Sequence, residues 1–193
     1  MKKETFTPIP LRQSVVNVAE KIGVATVRGL HHFAYRCKNT EETRHFYEDI
    51  LGLPLACVVQ HDKVPSSGEE APYYHIFFEM ADGSYLAFFD LLDDQPCIPD
   101  PLTPAWVNHL ALEVATVEDL LTAKGQLERN GVDVTEVIDH KWFVSIYFFD
   151  PNGIRLELVV RNASIDEMVA KAKVAHSKIA GRDAKAASLR TAA

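Results

Sequence analysis

Cysteine is scarce in this sequence, and its pattern does not suggest pairing. The three cysteines, Cys37, Cys57 and Cys97, are odd in number and widely spaced, so they do not match the framework of a disulfide-rich secreted domain. We interpret each as a small buried hydrophobic residue or a bystander rather than a nucleophile. A reducing cytoplasm is the compartment that we expect.

An excess of positive charge and a long apolar run are missing as well. The formal net charge of −7 argues against nucleic acid or an anionic membrane as a partner. No apolar run approaches the ~20 residues of a membrane span, and the charged start, Met1 to Glu4, is not followed by the apolar segment of a secretory signal. The composition is that of a soluble globular domain with tails.

Two stretches predict β-strands whose two faces differ. Side chains alternate along a strand, so residues 108–114 place His109 on a face with a small and a charged residue, opposite a leucine-rich face. Residues 31–37 place His32 in the same way. The members of these two mixed faces are His32, Ala34 and Arg36 in the first stretch and His109, Ala111 and Glu113 in the second. This likeness indicates a duplicated module.

The elements around these strands follow the order β-α-β-β-β twice. We assign residues 29–92 to the first module and 105–161 to the second, joined by a proline-rich linker. Asn39 begins the first helix as an N-cap, and residues 61–72 are expected to form a mobile loop. The second module is expected to have a strand over 132–138, and the last to span 154–160.

The two ends of the chain lie outside the duplicated domain of residues 29–161. Residues 1–28 are interpreted as an N-terminal arm with a short helix, which packs on the domain or on a partner subunit. Residues 162–193 begin with a helix that Ser164 caps, followed by a tail that we expect to be frayed. Dimerisation through the arm or this helix gives the expected homodimer.

With two such modules in tandem, the chain resembles the vicinal oxygen chelate superfamily. That superfamily includes glyoxalase I, methylmalonyl-CoA epimerase, fosfomycin and bleomycin resistance proteins and extradiol ring-cleaving dioxygenases. The resemblance covers roughly residues 29–161 and implies an α+β fold. Paired modules would curve an eight-stranded mixed sheet around a metal, with helices on the outer face.

The resemblance also implies a set of metal ligands. The first-strand histidines of the family match His32 and His109, and the last-strand carboxylate of the second module matches Glu157. The equivalent position in the first module is Ala87, where isomerases and lyases of the family carry a fourth protein ligand. Two histidines and one carboxylate form the triad of non-haem Fe(II) oxygenases, so the resemblance is closest to extradiol dioxygenases.

Three further residues match catalytic positions of extradiol enzymes. The stretch 145–153 resembles a family motif whose tyrosine contacts substrate, which assigns that role to Tyr147. His75, on the third strand, matches the acid/base histidine of the family. His140 resembles another histidine near the substrate, although its spacing differs by about two residues. The implied reaction is the cleavage of a catechol-like diol by O₂, with proton transfer through His75.

Several alternatives remain open at this stage. The histidines could be buried structural residues, and Glu113 and Arg36 could either pair with each other or line the cavity. Glu79 could supply the missing carboxylate, which would favour a lyase or isomerase with Mn, Zn, Ni or Co as a Lewis acid. A binding protein that sequesters a small aromatic molecule is the third hypothesis. We favour one chain per barrel over modules shared between chains.

Overall fold

The computed structural model describes residues 11–95, 97 and 100–191. The predictions made for residues 1–10, and for Pro96 and Pro99 in the linker, lie outside the described residues. The first helix, α1 (Gln13–Ile22), is followed by Gly23. Gly23 has a φ of 72°, the left-handed conformation that commonly ends a helix and that glycine adopts without strain. This helix agrees with the short helix predicted in the N-terminal arm.

The first module has the predicted element order. The side chain of Asn39 accepts hydrogen bonds from the backbone N–H groups of Glu41 and Glu42, which begins the helix as expected. The elements are β1 (His32–Cys37), α2 (Thr40–Arg44) with a π-helical continuation (His45–Ile50), β2 (Leu55–Lys63), β3 (Glu70–Glu79) and β4 (Tyr85–Asp90).

The second module repeats this order. Its helix begins where the Thr116 side chain accepts from the Asp119 backbone N–H, and Asn130 follows its last residue. The elements are β5 (Leu110–Glu113), α3 (Val117–Arg129), β6 (Ile138–Asp139), β7 (Phe143–Phe149) and β8 (Arg155–Arg161). Two helices follow, α4 (Ile165–Ala180) and α5 (Arg182–Thr191), and Ser164 caps α4 with a complete capping box.

The eight strands form two separate sheets of four. The strand orders are β1-β4-β3-β2 and β5-β8-β7-β6, with β1 parallel to β4 and β5 parallel to β8. The α+β class and the duplicated modules are therefore confirmed, whereas the eight strands do not join into one closed sheet within a chain. The strands that carry or adjoin His32 and His109, β1 and β5, lie at the edges of their sheets.

One hydrophobic core lies on the faces of the sheets that are turned away from the histidines. Tyr47 of the π-helical segment is fully buried and stacks on Phe78 at a ring-centroid distance of 5.2 Å. Phe46 packs against Phe148 of the second module, with ring centroids 6.3 Å apart. Because the core spans both modules, the helices and the apolar faces stay together, and the histidine-bearing faces are left outside.

A buried polar cluster connects the two modules beside this core. The Tyr47 hydroxyl donates to Asp150 Oδ2 at 2.9 Å, and the Lys38 backbone N–H donates to Asn152 Oδ1 at 3.0 Å. Burial raises the pKa of Asp150 and that of Tyr47. A paired polar cluster of this kind fixes the turn between β7 and β8 against the first module.

Two predicted elements were wrong. The loop expected over 61–72 is shorter, because β2 extends to Lys63 and β3 begins at Glu70. The strand expected over 132–138 is reduced to two residues, Ile138–Asp139. The tail is helical over Arg182–Thr191, and its expected fraying stays a prediction. Cys37 is buried as predicted, and burial raises its thiol pKa to about 12. None of the helices in the described part of the chain is both long and apolar enough to span a membrane.

Candidate metal and substrate site

The strand registers align the candidate residues of the two modules. Ala111 lies opposite Glu157 in the second sheet, and Ala34 lies opposite Ala87 in the first. Ala87 is therefore the structural equivalent of Glu157, as the sequence indicated. The first module has a methyl group where the second has a carboxylate, so the two modules cannot contribute equal ligand sets.

His109 and Glu157 lie in direct contact on the outer face of the second sheet. His109 Nε2 is 3.1 Å from Glu157 Oε2, and the Glu157 side chain is only 4% exposed. His109 Nδ1 lies 3.0 Å from the Val107 carbonyl oxygen, which requires a proton on Nδ1. That bond orients the ring and leaves Nε2 for a metal or, as here, for Glu157.

Tyr147 and His140 extend this contact into a chain of hydrogen bonds. The Tyr147 hydroxyl donates to Glu157 Oε1 at 2.8 Å. His140 Nε2 lies 3.3 Å from the same hydroxyl oxygen and must donate to it, because the single hydroxyl proton is already used. Burial, together with the bond to Glu157, raises the pKa of Tyr147. The structure therefore brings four predicted site residues together: His109, Glu157, Tyr147 and His140.

Arg155 is a member of this group that sequence reasoning missed. Its guanidinium carbon lies 4.1 Å from the centroid of the Tyr147 ring, and its Nη1 donates to the Trp106 carbonyl at 2.6 Å. Arg155 precedes Glu157 by two residues, so strand alternation places both on the same face. This two-residue spacing was the feature of the sequence from which Arg155 could have been predicted to lie beside Glu157. The cation fixes one face of Tyr147 and adds positive charge beside Glu157.

His32 and His75 lie together on the outer face of the first sheet. Their ring centroids are 6.2 Å apart, and His75 stacks on Phe89 with ring centroids 3.7 Å apart. His75 Nε2 is buried and has no hydrogen-bond partner, which is costly unless a bound group satisfies it. Burial, and secondly the nearby His32, lower the pKa of His75 to about 4.

The two groups do not meet within one chain. Among the residues that the structure describes, no three His, Cys, Asp or Glu side chains are close enough to hold an ion. Our expectation that one chain closes a barrel around the metal was therefore wrong. The suggested pairing of Glu113 with Arg36 was also wrong, since Glu113 pairs with Arg161 and Arg36 pairs with Asp93.

The lowered pKa of His75 predicts a pH dependence of stability in the metal-free protein. The unfolded chain binds a proton near the ordinary value of 6.5 and the folded chain only near 4. Between these values the unfolded state holds more protons, so the free energy of unfolding falls as the pH is lowered from 6.5 to 4. Urea unfolding at several pH values measures this slope. The variant His75→Gln should flatten it, whereas His176→Gln, at an exposed position on α4, should not. Equal slopes in the two variants would refute the assignment.

Comparison with known proteins agrees with this architecture. The sequence model of the Glyoxalase/Bleomycin resistance protein/Dioxygenase superfamily matches residues 29–158. The chain therefore belongs to this superfamily, and the resemblance inferred from the two modules is confirmed.

Individual relatives cover the same part of the chain. Biphenyl-2,3-diol 1,2-dioxygenase of Paraburkholderia xenovorans (strain LB400) is 26% identical over 132 residues, which are 67% of this chain and 40% of that protein. The chain thus spans well under half of this curated relative. A glyoxylase/bleomycin resistance protein/dioxygenase domain from Frankia sp. EAN1pec has a TM-score of 0.59 at 16% identity, covering 70% and 99% of the two chains.

A metal-containing relative shares the fold. The fosfomycin resistance protein FosX of Listeria monocytogenes, in its E126Q form, has a TM-score of 0.51 at 19% identity and covers 74% of this chain and 98% of its own. That protein was crystallised with Mn(II) and 1S,2S-dihydroxypropylphosphonic acid. At this identity the likeness shows the fold alone.

Proposed function

We propose that this protein is a metal-dependent extradiol-type dioxygenase that cleaves a catechol-like aromatic diol with O₂. The observation that carries the proposal is the contact of His109 with Glu157, at 3.1 Å, with the Tyr147 hydroxyl hydrogen-bonded to the same carboxylate. A nearly buried carboxylate in contact with an imidazole nitrogen is a pair of donors suited to a divalent metal. The dioxygenase relative, which is named for a diol substrate, supports the same chemistry.

Fe(II) would be held by His109, Glu157 and His32, with Mn, Zn, Ni or Co as alternatives. The donor set fits the metal, since two imidazoles and one carboxylate match the facial triad of non-haem Fe(II) oxygenases. Ala87 supplies no fourth ligand, which leaves positions for substrate oxygens. When bound, the metal would hold both diol oxygens and lower their pKa.

We infer that His32 comes from a second copy of the chain. The described residues include no strand paired with the outer side of β1 or β5, and such edges favour pairing with another chain. Exposed apolar residues lie a few positions before both strands: Leu30 is 52% exposed and Trp106 is 68% exposed. Apolar groups of this kind are typical of a protein interface. Two copies that join these edges would bring His32 of one to the His109–Glu157 pair of the other.

The remaining residues would orient substrate and transfer protons. Tyr147 holds Glu157 in place and, with its oxygen also contacted by His140, can hydrogen-bond a diol oxygen. The Nε2 atom of His75 has no hydrogen-bond partner, so it is free to accept a proton from the diol. The apolar rings of Phe77 and Phe89 flank His75 and would exclude water from it.

Anaerobic loading with Fe(II), followed by a panel of catechols with an oxygen electrode, tests the proposal. We expect one O₂ consumed per diol and a yellow ring-opened product for at least one catechol. Iron binding without O₂ uptake across a broad panel would refute the reaction.

A lyase or isomerase is the second candidate, and the position of Glu79 favours it. Glu79 lies opposite Tyr85, which in turn lies opposite His32, so Glu79 and His32 share one row across the first sheet. A second carboxylate from this row would complete a four-ligand Lewis-acid site. Metal analysis of the native protein separates the two candidates, since a redox-inert metal together with loss of metal in Glu79→Gln would favour the lyase.

A further inference from the structure

A cavity lies on the same face of the second sheet as Glu157 and is covered by the N-terminal helix α1 and by α4. It has a volume of about 620 Å³, within the range of small-molecule sites. Glu157 and Val159 form part of its floor, and Met168 and Ala172 of α4 form part of its roof. We call it the roofed cavity.

The chemistry of the roofed cavity is mainly apolar. Val15 of α1, Trp142 and Phe143 line its sides. Of its four charged residues, Glu113 and Arg161 are joined by a salt bridge of 2.6 Å, and the other two, Arg12 and Glu157, also border the cavity. An apolar, concave space with few free polar groups favours an apolar occupant.

Contacts with Trp142 hold the roof over the sheet. The backbone N–H groups of Asn162 and Ala163 both donate to the Trp142 carbonyl, at 2.7 and 2.8 Å. Lys171 Nζ lies 3.0 Å from the centroid of the Trp142 ring, a cation–π contact. These contacts fix both the start and the middle of α4, so the cavity is a built feature of the chain.

We propose that the roofed cavity binds an apolar substituent of the substrate, so that the preferred diol is a catechol bearing a hydrophobic group about the size of a phenyl ring. This inference rests on the proposed function. Glu157 is the link between the two sites, because it would bind the metal and also borders the cavity. A diol held at Glu157 would extend its substituent along β8 toward Val159, two residues or about 6.6 Å away.

The roof is formed by α1 and α4, which both lie outside residues 29–158 matched by the superfamily. Glu157 of the floor, by contrast, lies within the matched residues. The substrate preference of this protein would therefore depend on α1 and α4, while the reaction would depend on the shared fold.

Binding of catechol and of 3-phenylcatechol to anaerobic, Fe(II)-loaded protein tests the proposal by calorimetry. We expect 3-phenylcatechol to bind at least about tenfold more tightly, since filling an apolar pocket discriminates by about this factor. Ala172→Trp, which fills the roofed cavity, should abolish the preference. Ala170→Trp is the matched control, because it lies on the same helix about 200° away and does not line the cavity. Met168→Trp, one turn earlier, fills the same space should Ala172→Trp fail to fold.

A second probe separates this inference from the proposed reaction. Biphenyl, which has no hydroxyl groups, is added to the metal-free protein and its binding is followed by saturation-transfer NMR. We expect binding to wild type and Ala170→Trp and none to Ala172→Trp. This pattern without any diol binding would support the cavity while the dioxygenase proposal fails. Equal affinity for both catechols in wild type, unaffected by Ala172→Trp, would overturn the inference.

Discussion

Replacing Glu157 by glutamine is expected to lower Fe(II) affinity by at least about 100-fold and to abolish O₂ uptake. Mutation of residues that only hydrogen-bond to metal ligands typically lowers metal affinity by about 10–100-fold. Glu157 would be a ligand itself, and the only anionic ligand, so its loss should have a larger effect. Glutamine keeps the shape of the side chain and can still accept from the Tyr147 hydroxyl, so the loss would come from charge and not from misfolding. Anaerobic titration with Fe(II) and an oxygen electrode measure the two effects.

The control for this substitution is Glu113→Gln. Glu113 lies on the same outer face, on the neighbouring strand β5, and its carboxylate forms an exposed salt bridge with Arg161. Exposed pairs contribute about 0–1 kcal/mol to stability, and removal of this one should leave Fe(II) binding unchanged. An equal loss of iron in both variants would mean that the general negative charge of the face, rather than a ligand at Glu157, binds the metal.

Activity should return when two inactive variants share a dimer. We expect His32→Ala and His109→Ala each to be inactive, because each lacks one imidazole ligand at both sites. In a mixed dimer of the two variants, one site receives both intact halves. Random pairing makes about half of the dimers mixed, so co-expression should restore about a quarter of wild-type O₂ uptake.

The pair His109→Ala and Glu157→Gln provides the control for this experiment. Both changes damage the second module, so no combination of the two copies yields an intact site. We expect no recovery from this pair. Failure of His32→Ala and His109→Ala to recover, when mixed dimers are isolated with two affinity tags, would contradict a site shared between copies.

Strand alternation explains why much of the site could be predicted from the sequence. Side-chain direction along a strand is a local property with a period of two, and it placed His32 with Ala34, and His109 with Ala111, on the mixed faces. The hairpin turn before β8 then sets the register, and the structure puts Glu157 opposite Ala111. Caps at Asn39 and Ser164 were predicted correctly for the same reason, because a cap depends on three or four neighbouring residues.

The errors concern contacts between distant segments. Whether β1 pairs with β5 of its own chain depends on contacts between residues that are far apart in sequence. The alternation of side chains along a single strand does not predict such contacts. The shared core packs the apolar faces of both modules, and among the described residues of one chain the histidine-bearing faces do not form a ligand cluster. The composition of residues 61–72, with Pro65 and Gly68, indicated a loop, but pairing between β2 and β3 extended the strands into it.

The roofed cavity was beyond sequence reasoning for a similar reason. A capping box at Ser164 predicts where α4 begins, but not which surface it covers. Its position depends on the backbone of Trp142 and on the contact of Lys171 with the indole ring, and neither residue belongs to a recognisable motif. The structure was needed to place α4 near Glu157.

Crystals of the Fe(II)-loaded protein, measured at the iron absorption edge, test the central claim most directly. The account predicts one anomalous peak per site, in contact with His109 and Glu157 of one copy and with His32 of a second copy. Iron at any other place, or iron held at His109 and Glu157 with His32 remote from it, would contradict the account.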